Sequence, residues 1–380
     1  MLPSKTFFSL PANPDKRIDR NEHNGAQNIL VKAPIYPGDH AYTDLLDRTG
    51  GTGYIGGSVL HTIATSHPEY DITVMLRKVP DGFQSTYPNI EIVYGDYDSV
   101  DIITKNAAAA EIVVHNGNSD HERSLNAIIS GLLSRSTPGY LLHLSGTGIV
   151  SDWANEEYLG KCNPKVWSDI SSLAEIQDLP YNALHRNTEL ILHETVRLYD
   201  DRINIAIMCP PDIYGKGKGL AKTHSAFVPM YVKEIKRLGG EVFYYGEGTN
   251  TRSWVHIHDL MRVYLKVIEA AASGSAAEYF NENGYHFAGT QEHSQLDVAN
   301  AVGRIMHKQG AIADPRPSPI RLEQLDVLLK LPGFEKLARY LFASNSRTRA
   351  ERAERLYGYK GEAPGLLESL EGDVMDALES

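Results

Sequence analysis

Residues Thr49–Gly57 read TGGTGYIGG, and their Gly50, Gly53 and Gly56 stand at G-x-x-G-x-x-G spacing. Without a Cβ, such positions let a strand turn sharply into a helix while backbone N–H groups approach a pyrophosphate at the helix start. The chemistry proposed by this spacing is dinucleotide binding, with Tyr54 and Ile55 in the same turn. The motif needs a buried strand before it and an apolar helix after it. Val59, Ile63 and Ala64 supply the helical face. The strand is displaced, because Ala41–Arg48 carries Asp44, Asp47 and Arg48 where a central parallel strand is apolar. Asn28–Val31 (NILV) is the better strand, and joining it to Thr49 restores strand, turn and helix without a break. The 17 residues 32–48 are therefore predicted to be an insertion, either a translated intron or a surface loop.

The elements that must position this turn follow as an alternation of apolar strands and helical segments, the pattern of a parallel sheet covered on both faces. Strands are predicted at Asp71–Arg77, Ile90–Tyr94, Glu111–His115, Tyr140–Leu144 and Ile203–Met208. Several end in small polar residues, notably Asn116-Gly117-Asn118 and Ser145-Gly146-Thr147-Gly148. Ligands of open α/β sheets bind beyond the carboxyl ends of the strands, so these endings outline a cleft. The expected fold class is α/β, a Rossmann-like doubly wound parallel sheet with a smaller C-terminal substrate lobe. Residues 1–27 read as a disordered or loosely packed tail, 28–215 as the dinucleotide-binding domain, and 216–380 mainly as the substrate lobe, with 255–272 returning to the first domain.

Composition narrows the partners. A chain of 380 residues with 42% hydrophobic content is long enough for one large domain with an added lobe. A formal charge of -11 argues against nucleic acid and anionic membranes, leaving small molecules. The two cysteines, Cys162 and Cys209, have no metal-ligand spacing and fit a reducing compartment, so a cytoplasmic protein is expected. No metal is expected at His256, His258 and Asp259, because histidines at i and i+2 point apart on an extended chain. Trp153, Trp167 and Trp254 suit either a substrate pocket or core packing.

Together with Gly95-Asp96, His115-Asn-Gly-Asn118, Cys209-Pro-Pro-Asp-Ile-Tyr-Gly215, Trp254-Val-His-Ile-His-Asp-Leu260 and Ser344-Asn-Ser-Arg-Thr-Arg-Ala350, the glycine motif resembles the extended or atypical short-chain dehydrogenase/reductases. That group includes NAD-dependent epimerases and dehydratases, and the chain looks most like a fungal-type oxidoreductase branch of it, over about residues 28–372. The resemblance implies a cofactor-binding set of Gly50, Gly53, Tyr54, Ile55, Gly56, Arg77, Asp96, Asn116 and Pro210. Arg77 stands where relatives read the ribose 2′ position, and a cation there points to NADP, with NAD as the alternative. Asp96 matches the residue contacting adenine, or else caps a turn. The implied catalytic set is a Ser or Thr polarising the carbonyl, a Tyr moving the proton, and a Lys four residues later that lowers the phenol pKa. Ser145, with Thr147 as second choice, and Tyr181 match, but the Lys position holds His185. A largely neutral His185 leaves Tyr181 a phenol, suited to carbonyl reduction rather than alcohol oxidation. The expected function is NADP-dependent carbonyl reduction on a small metabolite, as a homodimer by resemblance. A non-catalytic NADP-binding regulator and a sugar-nucleotide epimerase or dehydratase are the alternatives.

Overall fold

Strand β1 (Asn28–Lys32) lies between β2 (Asp71–Leu76) and β4 (Ile112–His115), parallel to both, as the reading of NILV requires. The computed structural model describes residues 28–32, 53–274, 277–330 and 333–379. The tail 1–27, Gly50 and all of the expected insertion except Lys32 lie outside the described residues.

Helix α1 (Tyr54–Ser66) follows the glycine turn, β3 (Glu91–Tyr94) joins the far side of β2, and α2 (Val100–Ala109) leads into β4. Helix α3 (Glu122–Leu133) precedes β5 (Gly139–Leu144), and α4 (Arg186–Tyr199) precedes β6 (Ile203–Cys209). A short β7 (Asp212–Tyr214), helix α5 (Phe227–Arg237), β8 (Thr251–His256), α6 (Ile257–Ala272), β9 (Tyr285–Phe287), β10 (Gln291–Ser294) and α7 (Gln295–Lys308) come next. The chain then runs through α8 (Leu337–Phe342) to α9 (Leu366–Glu379).

The main sheet has the order β9-β6-β5-β4-β1-β2-β3, every pair parallel. The order reverses at β1, so the crevice between the ends of β1 and β4 is the topological switch point where ligands of such sheets sit. Strands buried on both faces read as continuous apolar runs, and β4 and β5 obey this with Ile112, Val113, Val114, Leu141 and Leu142 fully buried. Two polar exceptions, His115 and His143, occupy the site end of the same strands.

Apolar packing forms two clusters. The larger lies on the sheet and takes in α1, α3 and α6. The smaller joins α5, α7, α8 and α9 around Phe227, Tyr231, Phe243 and Phe342. Trp254 is buried in the second cluster, edge-on to Phe227 at 4.9 Å, which makes it a core residue. A second sheet, β10-β8-β7, spans the two clusters: Val255 of β8 packs in the first and Trp254 in the second. His256 caps α6, its Nδ1 accepting from the His258 N–H at 3.1 Å, and Asp259 accepts the N–H groups of Glu362 and Ala363.

Candidate active site

The helix that faces the switch point begins at Gly53, whose extended backbone gives no side-chain cap, and its first turn holds no acidic residue. Its N–H groups and dipole are thus undiminished by any carboxylate of its own, as an anion site requires. Ser58 secures the turn by donating to Tyr54 O at 2.8 Å, and Tyr54 donates to Gly215 O at 2.6 Å, tying α1 to the segment after β7. Ile55 is buried with Tyr54 in the larger cluster, and a Cβ on Gly219 would stand 3.0 Å from Gly57 Cα, so the 217–219 segment packs against this turn.

At the end of β4, Asn116 is fully buried and its Oδ1 accepts from Tyr264 at 2.8 Å. Its Nδ2 has no hydrogen-bond partner among the described residues. A buried, unpaired amide is costly, and a ligand atom at the switch point would satisfy it. Arg77 follows directly on β2, where the sequence placed it. Asp96 uses its carboxylate locally, accepting from Ser99 Oγ at 2.7 Å and Asp98 N at 3.1 Å. Pro210 holds the neighbouring loop, its carbonyl accepting from Thr147 N at 3.0 Å. The α1 N–H groups, the Arg77 guanidinium and Asn116 Nδ2 are the donors that a nicotinamide dinucleotide would meet here.

The end of β5 carries the reactive groups. Ser145 is buried and donates to Glu189 Oε1 at 2.6 Å, and the same carboxylate receives Tyr285 Oη–H at 3.0 Å and lies 3.6 Å from the Cys209 thiol. Burial, then the nearby Glu189, push that thiol's pKa up, so Cys209 is an inert structural group. Thr147 is fixed through its backbone: besides the bond to Pro210, its carbonyl accepts from Ser346 Oγ at 2.8 Å.

His185 is the pivot. It is the residue before α4, and its φ of 64° is left-handed, a region that non-glycine residues rarely occupy and that functional sites often hold under strain. The α4 start is clamped to the loop after β4: Thr188 donates to Ser119 O at 2.7 Å and Asn187 to Asp120 O at 3.0 Å. Nδ1 of His185 donates to Asp120 Oδ1 at 2.8 Å, with Ser119 Oγ at 3.2 Å. A Cβ on Gly146 would stand 3.2 Å from His185 Nε2, so that nitrogen lies directly against the end of β5. Burial pulls the imidazole pKa down, but the Asp120 carboxylate and, behind it, Glu189 outweigh burial and raise it above the ordinary value.

This revises two expectations. His185 is not an isolated stand-in for a lysine but is hydrogen-bonded to Asp120, which raises its pKa. Nor do Tyr181 and His185 share a helix turn, because the left-handed backbone at His185 delays α4 until Arg186 and leaves Tyr181 in a turn after Pro180 with 72% of its surface exposed. The structure brings Ser145, Thr147 and His185 together and leaves Tyr181 apart from them in exposure.

Beneath this layer, His143 Nε2 donates to Ser119 O at 3.2 Å, so its Nδ1 is the acceptor for His115 Nδ1–H at 2.9 Å. Burial lowers the His143 pKa to about 4, which keeps it neutral in that role.

A further aromatic residue reaches the site from α8. Tyr340 is partly buried, and a Cβ on Gly148 would stand 2.9 Å from its Oη. The guanidinium of Arg252 lies over its ring at 4.8 Å and is held by Asp212 Oδ2 at 2.5 Å, Tyr340 O at 2.8 Å and Ser344 Oγ at 3.0 Å. The sequence reading did not identify Asp120, Glu189, Arg252 or Tyr340. Asp120 lies in the polar run after β4 and Glu189 lies one helical turn beyond His185, so both had a local signal. Tyr340 had none.

Residues 160–281 match the model of the NAD dependent epimerase/dehydratase family. The chain is 28% identical to Oxidase ucsJ of Acremonium sp over 357 residues, 89% of this chain and 98% of that protein. It is 21% identical to a dTDP-glucose 4,6-dehydratase of Mycobacterium tuberculosis over 276 residues, 68% of this chain and 77% of that one. Among solved structures, the dTDP-glucose 4,6-dehydratase DesIV of Streptomyces venezuelae with NAD and TYD bound superposes with a TM-score of 0.60 at 15% identity, covering 93% of this chain and 98% of its own. UDP-glucose 4-epimerase of Thermotoga maritima gives 0.57 at 15% identity, covering 93% and 99%. The Rossmann fold and the resemblance to this group of enzymes read from the motifs both hold.

Proposed function

We propose that this chain, which resembles the NAD dependent epimerase/dehydratase family, is an NADP-dependent oxidoreductase that reduces the carbonyl of a small organic molecule. The observation that supports it most is the Asp120–His185 pair at 2.8 Å, set against Gly146 at the carboxyl edge of the sheet. The α1 start from Gly53 to Gly56 holds the pyrophosphate, Arg77 the 2′-phosphate and Asn116 Nδ2 a polar atom of the cofactor. Residues 28–215 with 255–272 serve the cofactor, and the remaining C-terminal residues shape the substrate side. When bound, the nicotinamide supplies hydride. The chain's task is to bring a proton to the carbonyl oxygen as charge develops there. In its charged form His185 keeps Nδ1–H on Asp120 and presents Nε2–H as the general acid, and Asp120 fixes the ring and keeps a charged fraction near neutral pH. Ser145, committed to Glu189, stiffens the end of β5.

The test is turnover beside binding: calorimetry with NADPH and NADH, and NADPH oxidation against a panel of aldehydes and ketones. Binding without any turnover would make the protein a regulator and end this reading. A second reading, sugar-nucleotide conversion, draws on the relatives named as dTDP-glucose 4,6-dehydratases. Conversion of dTDP-glucose without net NADPH consumption would favour it.

A further inference from the structure

Ser145 sits where the carbonyl-polarising hydroxyl of the resembling enzymes is expected, yet its proton is already spent on Glu189 at 2.6 Å inside a fully buried cluster. Reclaiming it would leave a buried carboxylate short of a donor, which costs several-fold more than one hydrogen bond returns. The reduction proposed above therefore needs another donor to the carbonyl oxygen.

One phenol meets the geometric demand. Tyr340 Oη comes within 2.9 Å of the Cβ position of Gly148, two residues along the same strand ending from Gly146, whose own Cβ position lies 3.2 Å from His185 Nε2. Leu184, the residue before His185, also contacts that Gly148 position at 3.2 Å, so Tyr340 and the α4 start share one wall. The Asp120 charge that acts on His185 acts on Tyr340 as well. Phe334, 5.8 Å from the Tyr340 ring, and Trp153, 5.2 Å from Phe334, continue the wall as an apolar surface.

We infer that Tyr340, carried by α8 from the C-terminal part of the chain, is a catalytic residue that donates its Oη–H to the substrate's carbonyl oxygen while His185 delivers the proton. This rests on the carbonyl-reductase reading. No covalent change occurs at Tyr340: its O–H bond persists, the oxygen's negative charge is shared with the phenol hydrogen, and the proton that completes the alcohol leaves His185 Nε2. Arg252 acts through Tyr340 as a positioning residue, its cation over the ring making the phenol a stronger donor. Burial raises the phenol pKa and Arg252 offsets this only in part, so the group stays a donor and not a base at neutral pH. The apolar surface beside it suits a substrate whose carbonyl is attached to a flat hydrophobic body.

The test uses the full chain and Tyr340→Phe, which keeps the ring and removes only the hydroxyl. With a carbonyl compound found by the NADPH screen, kcat should fall about 100-fold with KM within about threefold, as for loss of one oxyanion donor. A second readout needs no cofactor: in protein labelled with 3-fluorotyrosine, the fluorine resonance lost in Tyr340→Phe should titrate at higher pH than the exposed tyrosines. If Tyr340→Phe fails to fold, site-specific incorporation of 3-fluorotyrosine at position 340 alone supplies the same titration. Full kcat in Tyr340→Phe, or a resonance that titrates at lower pH than the exposed rings, overturns the assignment while leaving the reductase reading intact. A wild-type protein that oxidises no NADPH overturns both.

Discussion

At the scale of single residues, the Asp120–His185 pair sets the pH behaviour. His185 must carry its proton to act as an acid, and its pKa is raised above 6.5 because Asp120 outweighs burial. Activity in the reductive direction should hold at low pH and decline as pH rises through that raised pKa. In Asp120→Asn the carboxylate is gone and burial dominates, so the decline should move to lower pH; a pH–rate profile with an unmoved alkaline limb would exclude His185 as the acid. Arg77 gives a second prediction. If it meets a 2′-phosphate, Arg77→Ala should weaken NADPH binding by about 1.5–3 kcal/mol and leave NADH nearly unchanged, as read by calorimetry. The start of α1 at Gly53, the place of Arg77 directly after β2 and the Ser145 ending of β5 were legible because each is a local pattern. Tyr340 was not, because 192 residues separate it from Gly148 and only the packing of α8 joins them.

At the scale of elements, the strands were readable and the start of α4 was not. The mainly apolar, β-branched runs at 71–76, 112–115 and 203–209 are too short for buried helices and read as strands buried on both faces. The segment Pro180–Glu189 looks like a helix beginning at its proline, and what delays it is tertiary: the pull of Asp120 and Ser119 on His185 and Thr188 holds a left-handed residue that local propensity disfavours. The β7–β8 pairing rests on another tertiary device, the Arg252–Asp212 ion pair, with Arg252 3% and Asp212 13% exposed. Removing one partner of a buried pair strands the other, so Asp212→Asn should lower stability by about 3 kcal/mol in denaturant unfolding. A loss below about 1 kcal/mol would mean that Tyr340 O and Ser344 Oγ alone satisfy the guanidinium.

For the whole molecule, buried titratable groups set acid stability. His143 and His286 have pKa values lowered by burial to about 4, so the unfolded chain binds protons that the folded chain does not as pH falls from 6.5. Their stabilisation is intact above 6.5 and is lost on the way down to 4. Asp169, raised by burial to about 6, works the other way, being least costly when protonated. Between pH 7 and 5 the two histidines lose about 2 kcal/mol each and Asp169 returns about 1, leaving a net loss of about 3 kcal/mol. Urea unfolding at the two pH values checks this, and equal stabilities would show that these histidines can be protonated in place. Residues 340–346 act as a clasp: Ser346 Oγ donates to Thr147 O, Asn345 N donates to Asp152 at 2.7 Å, and Tyr340 O and Ser344 Oγ accept from Arg252. A latch that joins the loop after β5 to β8 in this way should open as one piece, so its amides are expected to exchange together and not one by one.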